Sequence, residues 1–533
     1  MYCYTIIMAP LPKVLNKPTK TYLSKRGYAI DKDGFENATT TIDMLKQLLT
    51  VKPKTHPDAP GASEVVAFPV FQESSKKLYI PRALGFQLFG APTHDTLHEG
   101  DDAPGLVFAG IMRPEQKAPT DAFLIAAKDP SRGGGIVSVA CAGGKTVMGL
   151  YISTCLKKKT LIICHKEFLL NQWRERIGQF VPSARVGIIK AKKVEVDGCD
   201  IVLASLQSLS MKDYDPAVLG SFGLVIADEC HHLSAQVFCQ ALPKVTSRVF
   251  LGLSATLDRK DGLRKVFEWY LGPPVYESKV RTESQMIVRM VPYCDDDPLM
   301  NYGVEKYMWN GKRNVAAMLS ALCAYAPRTL MIVDLLEEVL KKEPERKTLV
   351  LSDRRGHLKE LERLLRERGY VSIGYYVGGM KEAELKASES KDILLATLAM
   401  SAEGMDIPAL NTLVLATPVS AIEQPIGRIQ RQKPSERTHT PMTIDVWDQY
   451  SLYYNQGRRR RDFYFKSGYV VEKIEKTESA NDEEHIEDDA DKASTNMEKT
   501  KVKKPRKTKA SVRMHEEKHE APVMESDDED TSG

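Results

Sequence analysis

The sequence is poor in the features that mark secreted, metal-stapled and membrane-spanning chains. Its 533 residues hold nine cysteines, at 3, 141, 155, 164, 199, 230, 239, 294 and 323, none in a C-x-x-C pair. Structural zinc and a secreted disulfide framework are therefore not expected, and the thiols read as those of a reducing, intracellular compartment. No apolar run approaches the roughly 18 residues of a spanning helix, so no membrane is expected as a partner. The opening MYCYTIIMAP lacks a basic start and a long apolar stretch, and no secretory signal is expected. Charge of one sign is not in excess either: 75 Lys+Arg against 71 Asp+Glu leave a formal net charge of +4. No fixed-period repeat is visible. What remains is a globular composition, 42% hydrophobic and 27% charged, with length for about three to four domains.

The chain divides into four parts. Residues 1–105 mix turn formers with short apolar runs, VVAFPVF (65–71) and KKLYIPRALGFQLFG (76–90), and read as a small α+β N-terminal domain. From 106 to 285, apolar runs TLIIC (160–164), DIVLAS (200–205), GLVIADE (223–229) and RVFLGLSAT (248–256) alternate with helical stretches such as EFLLNQWRERIGQF (167–180). From 286 to 472 the alternation repeats, with TLVLSD (348–353), HLKELERLLRERG (357–369), VSIGYYVGG (371–379), DILLAT (392–397) and NTLVLAT (411–417). Apolar strands alternating with helices predict parallel sheets wrapped by helices, here two doubly wound lobes in tandem. Residues 473–533 form a charged tail in which DEEHIEDD (482–489) and DDED (527–530) flank KKPRKTK (503–509). Such a segment cannot offset its ordering entropy by burial, and disorder is expected.

The chemistry starts at VACAGGKTV (139–147), which follows the apolar IVSVA and precedes the helical TVMGLYISTCL. Strand, glycine-bearing loop, Lys-Thr and helix form a phosphate cradle, in which backbone N–H groups and the helix N-terminus face phosphates. Lys145 would reach the β/γ-phosphates and the Thr146 hydroxyl would bind Mg²⁺. The G-K-[ST] triplet alone arises by chance about 0.3 times in such a chain, so the weight rests on the order of the motifs downstream of it. DECH (228–231) ends the apolar GLVIA, and a strand end places carboxylates at the mouth of a sheet crevice. Asp228 would hold the Mg²⁺ and Glu229 would polarise the attacking water. SAT (254–256) offers small hydroxyls that can link this site to a moving neighbour. In the second lobe Gln424, Gly427, Arg428 and Arg431 spell Q-x-x-G-R-x-x-R, and helical i, i+3 spacing would put both arginines on one face. An arginine supplied from the second lobe meets the charge of a phosphoryl group in transit, a contact worth about 10³–10⁵ in rate.

These motifs, with ATLAMSAEGMD (396–406), stand in the order of the superfamily-two helicases, and the resemblance covers about 106 to 465. MRPEQ (112–116) resembles the segment that precedes the nucleotide loop. SATLDRKDG (254–262) is similar to the XPB/UvsW-like branch. KKLYIPR (76–82), HKEFLLNQW (165–173), YVGGMK (376–381) and IEQPIGRIQR (422–431) look most like the helicases of large nucleocytoplasmic DNA viruses, including the poxvirus transcript-release type. The resemblance implies RecA-like lobes. It implies that Arg113 and Gln116 meet the adenine side of ATP, that Ala142, Gly143, Gly144 and His231 belong to the nucleotide site, and that Gly404 and Asp406 sense nucleotide from the second lobe. It places His165, Lys166, Ser205, Gln207 and Thr397 in segments that touch a nucleic-acid backbone, contacts that position a strand without reading sequence. Val139 and Ala142 stand where relatives carry glycine, and Pro425 where many carry arginine.

The expectation is a motor driven by ATP and Mg²⁺ that moves 3′ to 5′ on single-stranded or duplex DNA, in viral transcription with an RNA polymerase or nascent transcript as partner, or in replication or repair. Its place would be the host nucleus, a cytoplasmic viral factory or the virion. An RNA helicase is one alternative; an ATP-binding scaffold that moves nothing, which only Ala142 favours, is another. Arg458–Arg461 beside FYF (463–465) read either as a phosphate-tracking run or as a solvated helix end. KKPRKTK resembles an import or nucleic-acid patch and equally a charge-balancing stretch. Cys141 and Cys230 border the ATP motifs and read as buried, inert thiols.

Overall fold

The computed structural model describes residues 18–35, 37–54, 66–140, 143–234, 237–255, 257, 259, 261–278, 286–295, 302–403, 405, 407–432 and 436–473. Cys141, Ala142, Thr256, Gly404, Asp406 and the tail beyond 473 lie outside the described residues.

Among the described residues three large sheets succeed one another along the chain, beside a two-stranded antiparallel pairing of Thr50–Val51 with Phe68–Pro69. The first has five short strands in the order Gln72–Glu73, Lys77–Ile80, Gly27–Asp31, Thr21–Ser24, His94–Asp95, antiparallel except for the last pair. Helices Ala38–Leu48 and Arg82–Phe89 cover it. Its core is shared: Tyr28, Leu45, Phe68 and Leu84 form one cluster with Cys239, Leu263, Val266 and Trp269 of the next unit. The Arg82 guanidinium bolts the two together, donating to the Arg248 carbonyl at 2.9 Å and lying over the Phe86 and Phe250 rings.

The second sheet has eight strands, ordered Lys193–Glu195, Val186–Lys190, Ile201–Ser205, Thr160–Cys164, Leu224–Asp228, Val249–Ser254, Gly134–Ser138, Pro274–Glu277. Every pairing is parallel except the Lys193–Glu195 hairpin. Period-two alternation splits each central strand between two cores. Leu161, Ile163, Val202, Ala204, Val225 and Ala227 pack on one face, and Ile162, Leu203, Leu224, Ile226, Leu251 and Leu253 on the other. Burial on both faces is why these strands read as unbroken apolar runs.

The third sheet has seven strands, all parallel, ordered Ile373–Tyr376, Ile393–Ala396, Thr348–Leu351, Thr412–Leu415, Met442–Asp448, Ile287–Tyr293, Val470–Lys473. Val350, Leu395, Val414 and Ile444 face one core, and Leu349, Leu394, Leu413 and Leu415 the other. Three of these strands, Ile287–Tyr293, Met442–Asp448 and Val470–Lys473, had no place in the sequence-derived alternation. Ile287–Tyr293 and Met442–Asp448 pair along seven residues, from Ile287 with Met442 to Tyr293 with Asp448. Arg289, Pro292 and Asp445 interrupt their apolar pattern, and Arg289 is accommodated by Glu338 and Glu472. The fold is α/β with two tandem doubly wound lobes. No single helix among the described residues is long and apolar enough to cross a membrane.

Candidate active site and nucleic-acid cleft

Strand Gly134–Ser138 is buried throughout and feeds a loop whose Gly143 N–H donates to Ala140 O at 3.0 Å. Val139 packs into the core and donates to Ser254 O, so this departure from glycine serves the sheet rather than the loop. Gly144 has φ +80°, a conformation that favours glycine. A Cβ on it would lie 2.0 Å from Gln116 Nε2 and 2.7 Å from an Arg113 nitrogen. Helix Lys145–Leu156 starts immediately after, so Lys145 and Thr146 stand at a positive helix N-terminus. Gln116 is buried; its Oε1 accepts from Arg113 N–H at 2.9 Å and its Nε2 donates to Gly143 O at 3.3 Å. The segment before the loop is thus clasped to the loop itself.

Asp228 closes strand Leu224–Asp228, and Glu229 comes next with φ +45°. Lys145 Nζ lies 3.6 Å from Glu229 Oε1. Asp228 Oδ1 accepts from Glu229 N–H at 3.0 Å, and Oδ2 accepts from the Trp173 indole at 2.8 Å. Burial, then the neighbouring Glu229 carboxylate, push the Asp228 carboxyl up to about 6. Burial works against the Glu229 carboxylate too, but the Lys145 ammonium, with His231, holds it below the usual range. One member of the pair is thereby poised to stay ionised. His231 Nδ1 lies 3.0 Å from Ser254 Oγ and 3.5 Å from Glu229 Oε2, so the DECH segment is tied to the SAT segment. The Arg259 guanidinium donates to the His231 carbonyl and pairs with Asp261. Cys230 is buried and its thiol is pushed well up by burial.

The second lobe completes this site. A cavity of about 500 Å³ is lined from the first lobe by Arg113, Gln116, Gly144, Lys145, Thr146, Asp228 and Glu229, and from the second by Gln424, Arg428 and Arg431. Arg428 is held from behind: its Nε donates to Ser401 O at 2.8 Å and a terminal nitrogen to Met405 O at 2.7 Å. The expectation that one helix face carries both arginines is corrected here. The helix spans Glu423–Ile429 and ends before Arg431, so the arginines share a cavity through the turn beyond it, not through one helix face. Pro425 is buried in that helix's first turn, where its missing N–H costs nothing.

A second cleft, of about 1120 Å³, runs along the same seam between the lobes. His165, Lys166, Ser205 and Gln207 line it from the first lobe, Tyr376, Met380, Lys386 and Met400 from the second. Thr397 begins helix Leu398–Glu403, accepting from Met400 and Ser401 N–H one turn before Met400 reaches the cleft; Thr397 itself is not in the lining. Lys386 pairs with Glu175 at 3.3 Å across the seam, and Asn171 donates to Glu382 at 3.4 Å.

His165 lines both cavities. Its ring stacks on His232 at 3.9 Å, and His232 lies 4.2 Å from His231. Three imidazoles therefore join the cleft to the acid pair. Burial is the largest influence on each and holds all three below the usual histidine range, His232 down to about 2, so they are neutral at pH 7. The residue of this pair that lines the 500 Å³ cavity is His232; His231 stands behind it against Ser254.

Sequence reasoning missed His232 and Trp173. Trp173 is the last residue of HKEFLLNQW, seven positions into helix Glu167–Phe180; it has no motif of its own, and only packing aims it at Asp228. In the basic run Arg458–Arg461, Arg460 departs from both expected readings. Arg460 tracks no phosphate and meets no solvent: it is 1% exposed and pairs with Asp445, 0% exposed, at 2.8 Å. Tyr464 donates to the same carboxylate at 2.8 Å. Arg458, Arg459 and Arg461 are the exposed members.

The donor set of the first cavity suits a hard divalent cation, a hydroxyl from Thr146 and one carboxylate from Asp228. Among the described residues no cluster of three or more His, Cys, Asp or Glu is arranged to hold a metal alone, which agrees with a cation that takes phosphate and water for its other ligands.

Comparison with known proteins agrees with this geometry. Residues 110–259 match the family described as type III restriction enzyme, res subunit, and residues 331–433 match the helicase conserved C-terminal domain. A protein of Acanthamoeba polyphaga mimivirus, L396, named as an ATP-dependent RNA helicase, is 31% identical over 88% of this chain and 91% of its own length. Helicase 161L of Invertebrate iridescent virus 6 is 29% identical over 63% of this chain and 77% of its own. QP509L of African swine fever virus (isolate Tick/Malawi/Lil 20-1/1983), also named as an ATP-dependent RNA helicase, is 25% identical over 62% and 68%. The chain belongs to the superfamily-two helicases, related to those of large DNA viruses, and is an ATP-dependent helicase.

Proposed function

We propose that the protein is a translocase that hydrolyses ATP in the 500 Å³ cavity and uses the 1120 Å³ cleft to grip and advance along one strand of nucleic acid. The observation that carries this reading is the placement of both cavities on one seam, each lined by both lobes, with His165 in both. Relative motion of the lobes then changes both sites together.

In this mechanism the Gly143–Thr146 turn binds the triphosphate through backbone N–H groups and Lys145. Thr146 and Asp228 would hold the Mg²⁺, which when bound would offset phosphate charge. Glu229, ionised beside Lys145, accepts the proton of the attacking water as its oxygen bonds the γ-phosphorus and the bond to the ADP oxygen breaks. Arg428 and Arg431 meet the charge of the transferring group. His231 and Ser254 hold Glu229 in place, and Arg113 and Gln116 set the loop and the nucleobase side.

The favoured substrate is DNA, with 3′-to-5′ movement, in line with the resemblance to the XPB/UvsW-like branch; transcript release from a viral RNA polymerase is the corresponding biological role. RNA is the second reading, because the mimivirus and African swine fever virus relatives are named as RNA helicases. Turnover with single-stranded DNA, duplex DNA and RNA, compared side by side, decides between them, and duplexes with only a 3′ or only a 5′ tail test direction. Stimulation by RNA alone would reject the DNA reading; preference for a 5′ tail would reject the direction; no stimulation by either acid would leave an ATP-binding scaffold.

A further inference from the structure

Between strand Ile287–Tyr293 and helix Val315–Ala324 the chain makes a short hairpin that neither cavity uses. Met308 N–H donates to Lys312 O at 2.7 Å and Asn314 N–H to Lys306 O at 2.6 Å, with Tyr307 bridged to Arg313. The loop Trp309-Asn310-Gly311 is closed by Gly311 N–H on Met308 O at 3.0 Å, Gly311 having φ +75°. A three-residue loop with glycine in the left-handed region is a common hairpin connection. Asn310 Oδ1 caps it by accepting from Lys312 N–H at 3.1 Å.

This hydrogen-bonded turn holds Trp309 in solvent, 99% exposed. A single exposed apolar residue is ordinary, but Tyr307 is 58% and Val304 50% exposed on the same hairpin. Interleaved with them are Lys306, Lys312 and Arg313, against one acid, Glu305, which Arg313 meets at 3.1 Å. The stem is rooted at the carboxyl end of the second-lobe sheet. Tyr302 donates to Asp448 at 2.8 Å and packs on Tyr450, just past strand Met442–Asp448. Asn314 caps the helix whose Ala316 O and Ser320 Oγ accept from Arg354, just past strand Thr348–Leu351. All seven strands are parallel, so Thr397 lies at this same end.

We infer that residues 304–314 form a stacking finger for nucleic acid, with Trp309 taking the face of an unpaired base and Lys306 and Lys312 meeting the adjoining phosphates. An indole offers every base a π-face, and flanking cations supply charge complementarity to the backbone, so the contact is blind to sequence. Its rooting at the strand-carboxyl end puts the tip on the same end of the second-lobe sheet as Thr397. This rests on the nucleic-acid reading above, and the test separates the two.

Of the four tryptophans, Trp173 and Trp269 are buried and Trp447 is half-buried beneath Arg461 and beside Tyr454, so iodide quenching of the full-length protein reports mainly Trp309. Trp309→Phe is expected to remove most of the quenchable component, and an oligothymidylate or oligouridylate of about 16 nucleotides to shield it in the wild type. Trp309→Ala should weaken binding of that oligonucleotide about fivefold or more, the worth of one stacked base, with Trp309→Phe retaining most of the affinity. Unchanged quenching and unchanged affinity, with nucleic-acid-stimulated ATP turnover intact, would overturn the finger and leave the motor standing. Shielding without any stimulation of turnover would keep the finger and sink the motor. Self-association that Trp309→Ala abolishes, with no response to oligonucleotide, would make the tip a protein contact and overturn the proposal.

Discussion

Replacing Trp173 by Phe keeps an aromatic ring in the core and removes one donor, the indole N–H that meets Asp228 at 2.8 Å. A hydrogen bond to a charged group is worth about 1.5–3 kcal/mol, and groups that orient a metal-binding side chain typically change metal affinity or activity about 10–100-fold. The free Mg²⁺ needed for half-maximal ATP turnover should therefore rise about 10–100-fold, with the rate at saturating Mg²⁺ much less affected. The pH dependence should move as well. Burial already raises Asp228 to about 6, and the indole is one of the groups that hold it down. Without it the carboxyl is protonated over a wider range, so the acid limb of turnover shifts to higher pH. The same change acts on the metal-free fold. A raised folded-state pKa means stability that is present below the carboxyl's ordinary range and lost as pH rises through about 6. The destabilisation of Trp173→Phe relative to wild type, tracked by thermal unfolding in chelator, should thus be larger at pH 8 than at pH 4. A Mg²⁺ midpoint within about threefold of wild type (well under the range for such groups) with an unmoved acid limb would refute the claim that this indole tunes Asp228.

Three further outcomes are expected from the same geometry. Lys145→Ala and Glu229→Gln should each abolish ATP turnover, with Glu229→Gln still binding a fluorescent ATP analogue; wild-type-like turnover in either removes that residue from the chemistry. Arg428→Ala should lower kcat by about 10³ or more with a smaller change in ATP affinity. Arg428→Lys keeps the charge but cannot hold both the Ser401 and Met405 carbonyls, so a defect as deep as that of Ala would assign the loss to positioning rather than to charge. Arg460→Ala, which strands a buried Asp445 carboxylate, should cost about 3–5 kcal/mol in denaturant unfolding, whereas exposed Arg459→Ala should stay within about 0.5 kcal/mol; equal effects would deny the buried pair.

The features legible in the sequence alone are those that short-range chemistry encodes. Apolar runs such as LVIAD and TLVL specify strands buried on both faces, and alternation with helical stretches specifies parallel sheets. Gly143-Gly144-Lys145-Thr146 after a strand, and Asp228-Glu229 at a strand end, are local constellations whose geometry comes from the chain's own turn and helix start. Tertiary structure decided whatever depends on residues distant in sequence. Arg458, Arg459 and Arg460 are identical in type, yet only Arg460 lies on the face of helix Ser451–Lys466 that meets Asp445, and only there does a carboxylate compensate its burial. His231 and His232 are likewise identical neighbours, and the 3₁₀ turn Cys230–Ser234 sends one toward Ser254 and the other between two rings and into the cavity. Trp173 finds Asp228 across 55 residues of chain because helix Glu167–Phe180 lies on the face where Ile226 and Leu253 pack. Arg431 comes beside Arg428 through a turn, not a helix face, and the halves of the site come together only because the two lobes meet along one seam. A linear pattern records which groups are available; burial, register and the docking of two lobes select which of them face the reacting atoms.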